Sequence, residues 1–418
     1  MILPRVKDVL LAALAIAAPA SSRPLRAQED HHWVATWTAM PQEVESYNLP
    51  VDPFGGPEAD YQFRNATLRQ TFRISVDATR IRIQLSNLFG QTDLPITAGS
   101  VAVPEDGAAG IGEVDTSTIQ QLTFHGSASV TIPPEKVVYS DPIDLAIPAL
   151  SSLAVSIYTE NGQAGTNITG HPGSRTTSWM ATGNQVDALS VNQANITHWY
   201  FASAVEAWAP RTTSGLVILG DSITDGRGSD DNQNNRWPDA LAERLQRHGL
   251  TELAINNQAA GGNAILPRSA GLGPALLTRY RRDALGQNGV NYVMVFEGVN
   301  DIGVSDPDKK TQDALFQDLV HAYQQIIADC RKAGLVTIGA TITPFAGSLY
   351  GHPARERTRA RINEWILKRS PFDYTVDFAA VIGDGDTLRP EFDSGDHLHP
   401  NVAAYSEMAS RVDLGIFQ

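Results

Sequence analysis

The sequence predicts two units of different fold class, an all-β sandwich followed by an α/β domain with a parallel sheet. From residue 213 onward, short apolar runs alternate with stretches of helical pattern. From about 31 to 205, short segments of alternating polar and apolar residues lie between Gly, Pro, Asn and Asp. Apolar strands that alternate with helices are typical of a parallel sheet covered on both faces. We therefore place the β sandwich at 31–210 and the α/β domain at 213–418.

The N-terminal half has the strand pattern of a sandwich, and we expect a jelly-roll-like arrangement. Strands are predicted at 67–76, 79–86, 127–132 and 153–158. The second of these shows the alternation most clearly, with Ile81, Ile83 and Leu85 on one face.

The C-terminal half repeats a strand and a helix several times. Apolar runs predict strands at 215–219, 253–256, 292–296, 336–342 and 374–377, and the intervening pattern predicts helices near 237–248, 275–285, 311–333, 354–369 and 401–411. In such sheets the active site lies at the carboxyl ends of the strands. Polar residues that directly follow these strands are therefore the first candidates for chemistry.

The N-terminus has the pattern of a secretory signal peptide over 1–27. Arg5 and Lys7 precede an apolar run at 9–18, and Ala18-Pro19-Ala20 resembles a cleavage site, so cleavage is expected near 20–27. The run is too short to span a bilayer. The sequence predicts a secreted, extracellular protein, and the triplets that begin at Asn65, Asn167 and Asn195 are candidate glycosylation sites.

Charge and composition restrict the possible partners. The chain has 418 residues and a formal net charge of -14, which argues against nucleic acid and anionic membrane surfaces. No other stretch is long and apolar enough for stable membrane insertion, and we expect a monomer. The single cysteine, Cys330, excludes an intramolecular disulfide, and its place on an apolar helical stripe predicts that it is buried.

Two strand ends carry the residue types of nucleophilic catalysis. Ser222 follows the first predicted strand in Gly220-Asp221-Ser222, and Asp396 and His399 stand three residues apart before the last helix. A serine nucleophile needs a base to take its proton and an acid to orient that base. His397 competes with His399 for the role of base. A zinc site made from Asp396, His397 and His399 is an alternative hypothesis. The sequence has no cysteine cluster or helical histidine pair that would support it.

Two further strand ends offer donors for an oxyanion. Gly261 and Gly262 follow the second strand and allow a backbone N–H to approach a ligand. Asn300 follows the third strand, and its side-chain amide is a suitable oxyanion donor. Each of these segments could also be an ordinary turn.

The four segments, in this order at successive strand ends, resemble the four blocks of the SGNH, or GDSL-type, hydrolases. The resemblance covers residues 213–418 and implies a flavodoxin-like three-layer α/β/α domain. It implies a triad of Ser222, Asp396 and His399, and an oxyanion hole made by Ser222 N–H, Gly262 N–H and Asn300. Gly262 is preferred over Gly261 because a polar residue follows it, as in the family pattern, and Ile223 stands where the family's motif has Leu.

Longer stretches are similar to a secreted subgroup that includes xylanase-operon esterases, which carry an N-terminal β domain. These stretches are 220–226, 235–239 and 297–302. The resemblance implies a secreted carboxylic ester hydrolase that needs no metal or organic cofactor. A small-molecule or polysaccharide ester is the expected substrate, with short acyl groups, acetyl above all.

Two other functions stay open. One is a secreted lipase for long acyl chains, which would need an apolar groove. The other is a carbohydrate-binding protein in which the hydrolase domain is a scaffold. In that case tryptophans before residue 210 would stack on sugars, although they fit a sandwich core better; they are Trp33, Trp37, Trp179, Trp199 and Trp208.

Three charged residues near the nucleophile have open roles. Asp225 and Arg236 either shape the substrate rim or form a surface ion pair, and Asp221 is expected to brace the turn.

Overall fold

A computed structural model of the chain describes residues 30–269 and 271–418. The predicted signal peptide at 1–27 lies outside the described residues. Within the part of the chain that is described, none of the helices has the length and apolar character that crossing a bilayer requires.

The C-terminal half contains a five-stranded sheet in which all strands are parallel. Apolar side chains dominate its strands and are almost completely buried. Counted along the chain, the strand order is 2-1-3-4-5, which is the flavodoxin-like order. The predicted α/β class with a parallel sheet is confirmed. The strands are β18 (Ser214–Gly220), β19 (Leu253–Ala259), β20 (Val290–Phe296), β21 (Val336–Ala340) and β22 (Tyr374–Val376), and a hairpin of β23 (Gly383–Asp384) and β24 (Thr387–Leu388) follows.

The helices of this half contact one another in two groups. One group contains the helices Trp237–Arg247, Phe378–Ile382 and Val402–Arg411, and the other contains Leu276–Tyr280, Val299–Val304, Lys309–Lys332 and Pro353–Lys368. Since parallel crossovers are right-handed, the reversal of strand order after β19 places the two groups on opposite faces of the sheet. The helices are α1 (Ser222–Asp225), α2 (Trp237–Arg247), α3 (Leu276–Tyr280), α4 (Val299–Val304), α5 (Lys309–Lys332), α6 (Pro353–Lys368), α7 (Phe378–Ile382) and α8 (Val402–Arg411), and a π-helical turn (Arg281–Leu285) extends α3.

The N-terminal half forms antiparallel sheets. The larger two have four strands, β1-β17-β5-β10, and six strands, β15-β14-β4-β11-β7-β8. One apolar cluster draws residues from both. The strands are β1 (His31–Thr38), β2 (Gln42–Glu43), β3 (Tyr61–Gln62), β4 (Ala66–Arg73), β5 (Ile81–Ser86), β6 (Leu94–Ile96), β7 (Ala98–Ala102), β8 (Gln120–Gln121), β9 (Val130–Ile132), β10 (Val137–Tyr139), β11 (Ser152–Thr159), β12 (Gln163–Ala164), β13 (Thr169–His171), β14 (Ser178–Thr182), β15 (Ala194–Ile196), β16 (Trp199–Tyr200) and β17 (Ala202–Pro210).

Burial follows the predicted alternation in β5, where Ile81, Ile83 and Leu85 are buried and the arginine and glutamine between them are half-buried. The strand β11 differs, because every one of its residues is buried. It lies between β4 and β7 in the six-stranded sheet, and its side chains are covered on both faces. Cys330 is buried in α5, as predicted.

The two halves join along the outer edge of β19, the edge strand of the parallel sheet. Ile255 N–H donates to Ser75 Oγ at 2.9 Å, and Thr38 Oγ1 donates to Asn257 O at 3.3 Å. Asn256 Nδ2 donates to Ala35 O at 2.8 Å. Side chains and backbone of the N-terminal half therefore satisfy polar groups of β19 that would otherwise face solvent.

Candidate active site

The nucleophile candidate begins a helix directly after the first parallel strand. Strand β18 ends at Gly220, and Asp221 caps α1 by accepting the Ile223 N–H at 3.0 Å. A Cβ at Gly220 would lie 2.7 Å from Thr224 Oγ1, so only glycine fits between strand and helix. Ser222 is the first residue of α1, and its backbone N–H belongs to the free N-terminal turn. Asp221 braces the turn, as predicted.

His399 lies between Ser222 and Asp396. Its Nε2 is 2.8 Å from Ser222 Oγ, and its Nδ1 is 2.7 Å from Asp396 Oδ2. The other oxygen of Asp396 accepts the backbone N–H groups of Leu398 and His399 at 3.0 and 2.8 Å. These distances are those of a serine, a base and a carboxylate that fixes the base.

His397 faces away from this cluster. Its Nδ1 lies 2.6 Å from Asp393 Oδ2, and its side chain is 58% exposed. Its backbone is left-handed, with φ 62°. The structure therefore brings His399, and not its competitor, to Ser222.

The surroundings keep the triad groups in the ionisation states that general-base chemistry needs. Burial lowers the pKa of His399 more than its contacts with Asp396 raise it, and the positive charges of Arg227 and Arg175 lower it further. Burial alone would raise the pKa of Asp396, but hydrogen bonds from the backbone and ring of His399 outweigh it and bring that pKa to about 2. At neutral pH the base is therefore neutral and its partner ionised.

The two glycines after β19 differ in what their backbone N–H groups contact. Gly261 N–H donates to Asp225 Oδ2 at 3.0 Å. No described residue accepts the N–H of Gly262, which is left-handed with φ 69° and lines the cavity beside Ser222. This arrangement favours Gly262 over Gly261 as the oxyanion donor.

The amide of Asn300, the third oxyanion candidate, has a fixed orientation. Tyr350 Oη donates to its Oδ1 at 2.9 Å, and its Nδ2 donates one hydrogen to Asn263 O at 2.7 Å. The second hydrogen of Nδ2 remains for a ligand in the cavity that Asn300 and Gly262 line together. Sequence reasoning missed the contribution of Tyr350, because it lies fifty residues from Asn300 and in no recognisable motif.

A buried contact between a histidine and an aspartate connects the site to the N-terminal half. His171 Nε2 lies 2.9 Å from Asp225 Oδ1, and His171 Nδ1 lies 3.0 Å from Met40 O. Both side chains are almost completely buried. Asp225 is therefore not a surface ion-pair residue; it lines the cavity beside Ser222 and links β13 to the loop that carries Gly262.

Arg236 is also buried, with only 6% of its surface exposed. It donates to the backbone oxygens of Asp225 and Ser174 and to the Asp239 carboxylate. Arg236 therefore lies neither at the substrate rim nor in a surface ion pair, and both predicted roles are wrong. Its guanidinium instead connects the 172–177 segment to α1.

Three carboxyl groups lie buried beneath the site. Burial is the main cause that raises the pKa of Asp221 to about 7, of Glu297 to about 8 and of Asp301 to about 6. Arg279, itself fully buried, contacts Glu297 at 3.3 Å and donates to Asn263 Oδ1. These buried groups pack beneath the candidate active site and, through Arg279, contact Asn263, the residue after the two cavity-lining glycines.

The cavity at Ser222 has a volume of about 210 Å³ and is lined by both halves of the chain. Among the residues described, no group of three or more His, Cys, Asp or Glu is arranged to hold a metal ion. The lining residues are Gly173, Arg175, Ser222, Asp225, Arg227, Gly261, Gly262, Leu272, Asn300, Tyr350, Leu398 and His399.

The candidate tryptophans fall into two classes. Trp37 and Trp199 are buried and pack at 4.8 Å between ring centroids, as core residues do. Trp33, Trp179 and Trp208 are half-buried, and Trp33 lies 5.2 Å from Trp208.

The three candidate glycosylation residues differ in exposure. Asn65 and Asn195 are exposed, whereas Asn167 is half-buried. Asn195 lies on the edge strand β15 and not in a loop.

Comparison with known proteins gives a match in the C-terminal half. The model of the GDSL-like lipase/acylhydrolase family matches residues 218–406. A search of curated proteins gave no match. Among solved structures, a lipase/acylhydrolase from Enterococcus faecalis has 20% identity, with 48% of this chain and 93% of that chain covered and a TM-score of 0.37. An acetyl xylan esterase from Geobacillus stearothermophilus has 20% identity, 48% and 94% coverage, and a TM-score of 0.36.

Proposed function

Residues 218–406 belong to the GDSL-like lipase/acylhydrolase family, within the SGNH hydrolases, and from this premise we propose the mechanism and substrate class of the chain. The chain is a carboxylic ester hydrolase. We propose that it cleaves short acyl esters, acetyl esters above all, through Ser222, His399 and Asp396. The observation that carries the mechanism is the unbroken contact from Ser222 Oγ through His399 to Asp396, at 2.8 and 2.7 Å.

The first half of the reaction forms an acyl-enzyme. His399 Nε2 takes the proton of Ser222 as Oγ attacks the ester carbonyl carbon. The negative charge that develops on the carbonyl oxygen is stabilised by Ser222 N–H, Gly262 N–H and Asn300 Nδ2. The tetrahedral intermediate collapses, the bond to the alcohol oxygen breaks, and His399 donates its proton to the leaving alcohol.

The second half returns the enzyme to its starting state. His399, neutral again, takes a proton from water, and the hydroxide attacks the acyl carbon. The same donors stabilise the second intermediate. Its collapse releases the carboxylic acid and returns a proton to Ser222 Oγ.

The size and lining of the cavity support short acyl groups. Its volume of about 210 Å³ is below the range of about 300–1,000 Å³ that is common for sites of larger ligands. Leu272 and Tyr350 narrow the side next to Gly262 and Asn300. Two arginines line the remainder, which does not suit a long alkyl chain. We therefore favour an acetyl esterase for polysaccharide or related esters over a lipase.

The test compares wild type with Ser222→Ala on p-nitrophenyl acetate and butyrate. We expect the variant to lose at least about 10³-fold in kcat, and equal rates would refute the triad. A chain-length series decides between esterase and lipase, because a maximum at octanoate or longer would contradict the short-acyl proposal. Acetate release from a panel of acetylated polysaccharides then identifies the natural alcohol.

Export and glycosylation are part of the same proposal. The signal pattern at 1–27 and the exposure of Asn65 and Asn195 support them. Mass spectrometry of the protein from the culture medium of its host would give the cleavage site and any glycan mass. Retention of the full chain inside the cell would contradict export.

A further inference from the structure

The inference that follows rests on the proposed function and concerns the alcohol part of the substrate. One side of the cavity carries two arginines, Arg175 from the N-terminal half and Arg227 from the segment after α1. Two guanidinium groups therefore lie next to Ser222 in a chain whose net charge is -14. Whether the chain itself compensates these two positive charges depends on which acidic groups contact the two arginines.

The acidic groups of the cavity are engaged elsewhere. Asp225 contacts His171 with one oxygen and Gly261 N–H with the other. Asp396 contacts His399, and Arg227 Nε is 4.0 Å from Asp396 Oδ2. Arg227 therefore has a distant partner of its own, and each oxygen of Asp225 already contacts a group other than Arg175.

Arg175 has no such partner. None of the described residues accepts a hydrogen bond from its guanidinium, and its Nε is buried away from solvent. A buried donor without an acceptor is unfavourable. The terminal nitrogens of the guanidinium are not sealed off in this way, and they remain for an acceptor supplied by a substrate in the cavity that Arg175 lines.

The backbone holds Arg175 in place against its own preference. Its φ is 51°, in the left-handed region that non-glycine residues rarely adopt. Ser174 Oγ donates to Thr176 O, and Thr176 N–H donates to Ser174 Oγ. Asn232 N–H donates to Arg175 O at 2.8 Å. Contacts on both sides of the residue therefore fix a strained conformation at a functional site, which is where such strain concentrates.

The position of the arginines identifies the part of the substrate that they face. His399 donates its proton to the leaving alcohol, so the alcohol lies on its side of the cavity. Arg227 stands beside the carboxylate that holds His399, and the charges of both arginines act on the His399 ring. Leu272 and Tyr350 instead lie with Gly262 and Asn300 on the acyl side.

We propose that Arg175, assisted by Arg227, binds a carboxylate on the alcohol moiety of the ester, so that the preferred substrate is an acyl ester of a hydroxy acid. The planar guanidinium presents a fork of donors that matches a carboxylate. A sugar with this chemistry is an acetylated uronic acid. Arg175 is a specificity determinant that contacts substrate and takes no part in the bond-breaking steps.

The test uses two substrates that share the acetyl group and the phenyl ring but carry a charged or a neutral group on the alcohol side, 4-acetoxybenzoate and its amide, 4-acetoxybenzamide. For wild type at low ionic strength, we expect kcat/KM to be about tenfold higher for the benzoate. Arg175→Asn, which suits a left-handed backbone, should abolish most of this preference. Arg175→Lys should retain part of it, and the control Arg247→Gln, which removes an exposed charge on α2, should retain all of it.

A second measurement needs no variant. In wild type, 4-hydroxybenzoate should inhibit hydrolysis of p-nitrophenyl acetate more strongly than 4-hydroxybenzamide, and the difference should shrink in 0.5 M salt. A third pair, p-nitrophenyl hemisuccinate and butyrate, places the charge on the acyl side, where we expect no preference for the anion.

The possible results distinguish an incorrect carboxylate site from an incorrect esterase function. Equal kcat/KM for benzoate and benzamide, together with normal hydrolysis of p-nitrophenyl acetate, would overturn the carboxylate site and leave the esterase intact. A preference that survives in Arg175→Asn, or one for hemisuccinate alone, would also overturn it. Failure to hydrolyse any ester would refute the proposed function itself.

Discussion

His171 Nε2 lies 2.9 Å from Asp225 Oδ1, and this buried pair joins the N-terminal half to the helix of the nucleophile. The other oxygen of Asp225 holds Gly261 N–H, the residue before the proposed oxyanion donor. One carboxylate therefore sets the position of Gly262 relative to Ser222. We therefore expect the proposed catalysis in the C-terminal half to depend on a histidine that lies outside it.

Asp225→Asn should damage both activity and stability. The substitution removes the charge that His171 faces and weakens the contact to Gly261. We expect kcat/KM on p-nitrophenyl acetate to fall about 10- to 100-fold, and the free energy of unfolding to fall by about 3 kcal/mol. Steady-state kinetics and urea denaturation measure the two effects. The exposed Asp231→Asn is the matched control, and a variant at position 225 with wild-type kinetics would exclude the linking role.

The two neighbouring histidines should respond very differently to the same substitution. His399→Asn removes the base and should reduce kcat by about 10⁴-fold or more. His397→Asn should stay within threefold of wild type, because His397 is largely exposed and asparagine tolerates its left-handed backbone. Both are measured with p-nitrophenyl acetate. A large loss for position 397 would reverse the assignment of the base.

The pH profile of kcat/KM should report His399. Burial lowers its pKa, and only the neutral ring accepts the serine proton, so the acid limb should lie below pH 6.5. Arg175 lowers this pKa through its positive charge. Arg175→Asn should therefore move the acid limb to higher pH. Profiles from pH 4 to 8 on a neutral ester test this, with Arg247→Gln as control, and a shift to lower pH would contradict the charge argument.

The buried carboxyl groups should make the protein less stable at high pH. Glu297 has a pKa raised to about 8, so it is neutral in the folded chain at pH 5 but ionised in the unfolded chain above pH 4.5. The unfolded state then releases protons that the folded state keeps, and stability falls as pH rises from about 4.5 to 8. We expect a loss on the order of 3 kcal/mol between pH 5 and 8.

Glu297→Gln should flatten this dependence, since glutamine does not ionise. Urea denaturation at pH 5, 6.5 and 8 provides the measurement. The exposed Glu364→Gln should leave the slope of the wild type unchanged. Parallel pH curves for wild type and Glu297→Gln would show that this carboxyl group does not titrate as stated.

The sequence predicts those features that depend on local pattern. The five parallel strands and the long helices follow from runs of apolar residues, and Ser222 was identified because it follows the first of them. The short helix α4 (Val299–Val304) was missed, because Asn300 and Asp301 also fit a turn and six residues show no helical period. Local pattern is least informative for the shortest elements.

Contributions from distant segments could not be predicted in the same way. His171 and Arg175 lie in the N-terminal half, and nothing in their neighbourhood specifies which part of the α/β domain they reach. The left-handed backbone of Arg175 leaves no pattern in the sequence, because contacts with Ser174, Thr176 and Asn232 impose this conformation. The burial of Asp225 and Arg236 likewise depends on packing between the two halves.

The contacts along β19 also determine how this chain can be divided. A fragment that begins at residue 213 would lose Ser75 and Thr38, and the Ile255 N–H and Asn257 O that they satisfy would face solvent on an open strand. Such an edge invites pairing with the same edge of another copy. We therefore expect that the C-terminal half is not an independent module, and that a shortened protein would need a new cover for this edge to stay in solution.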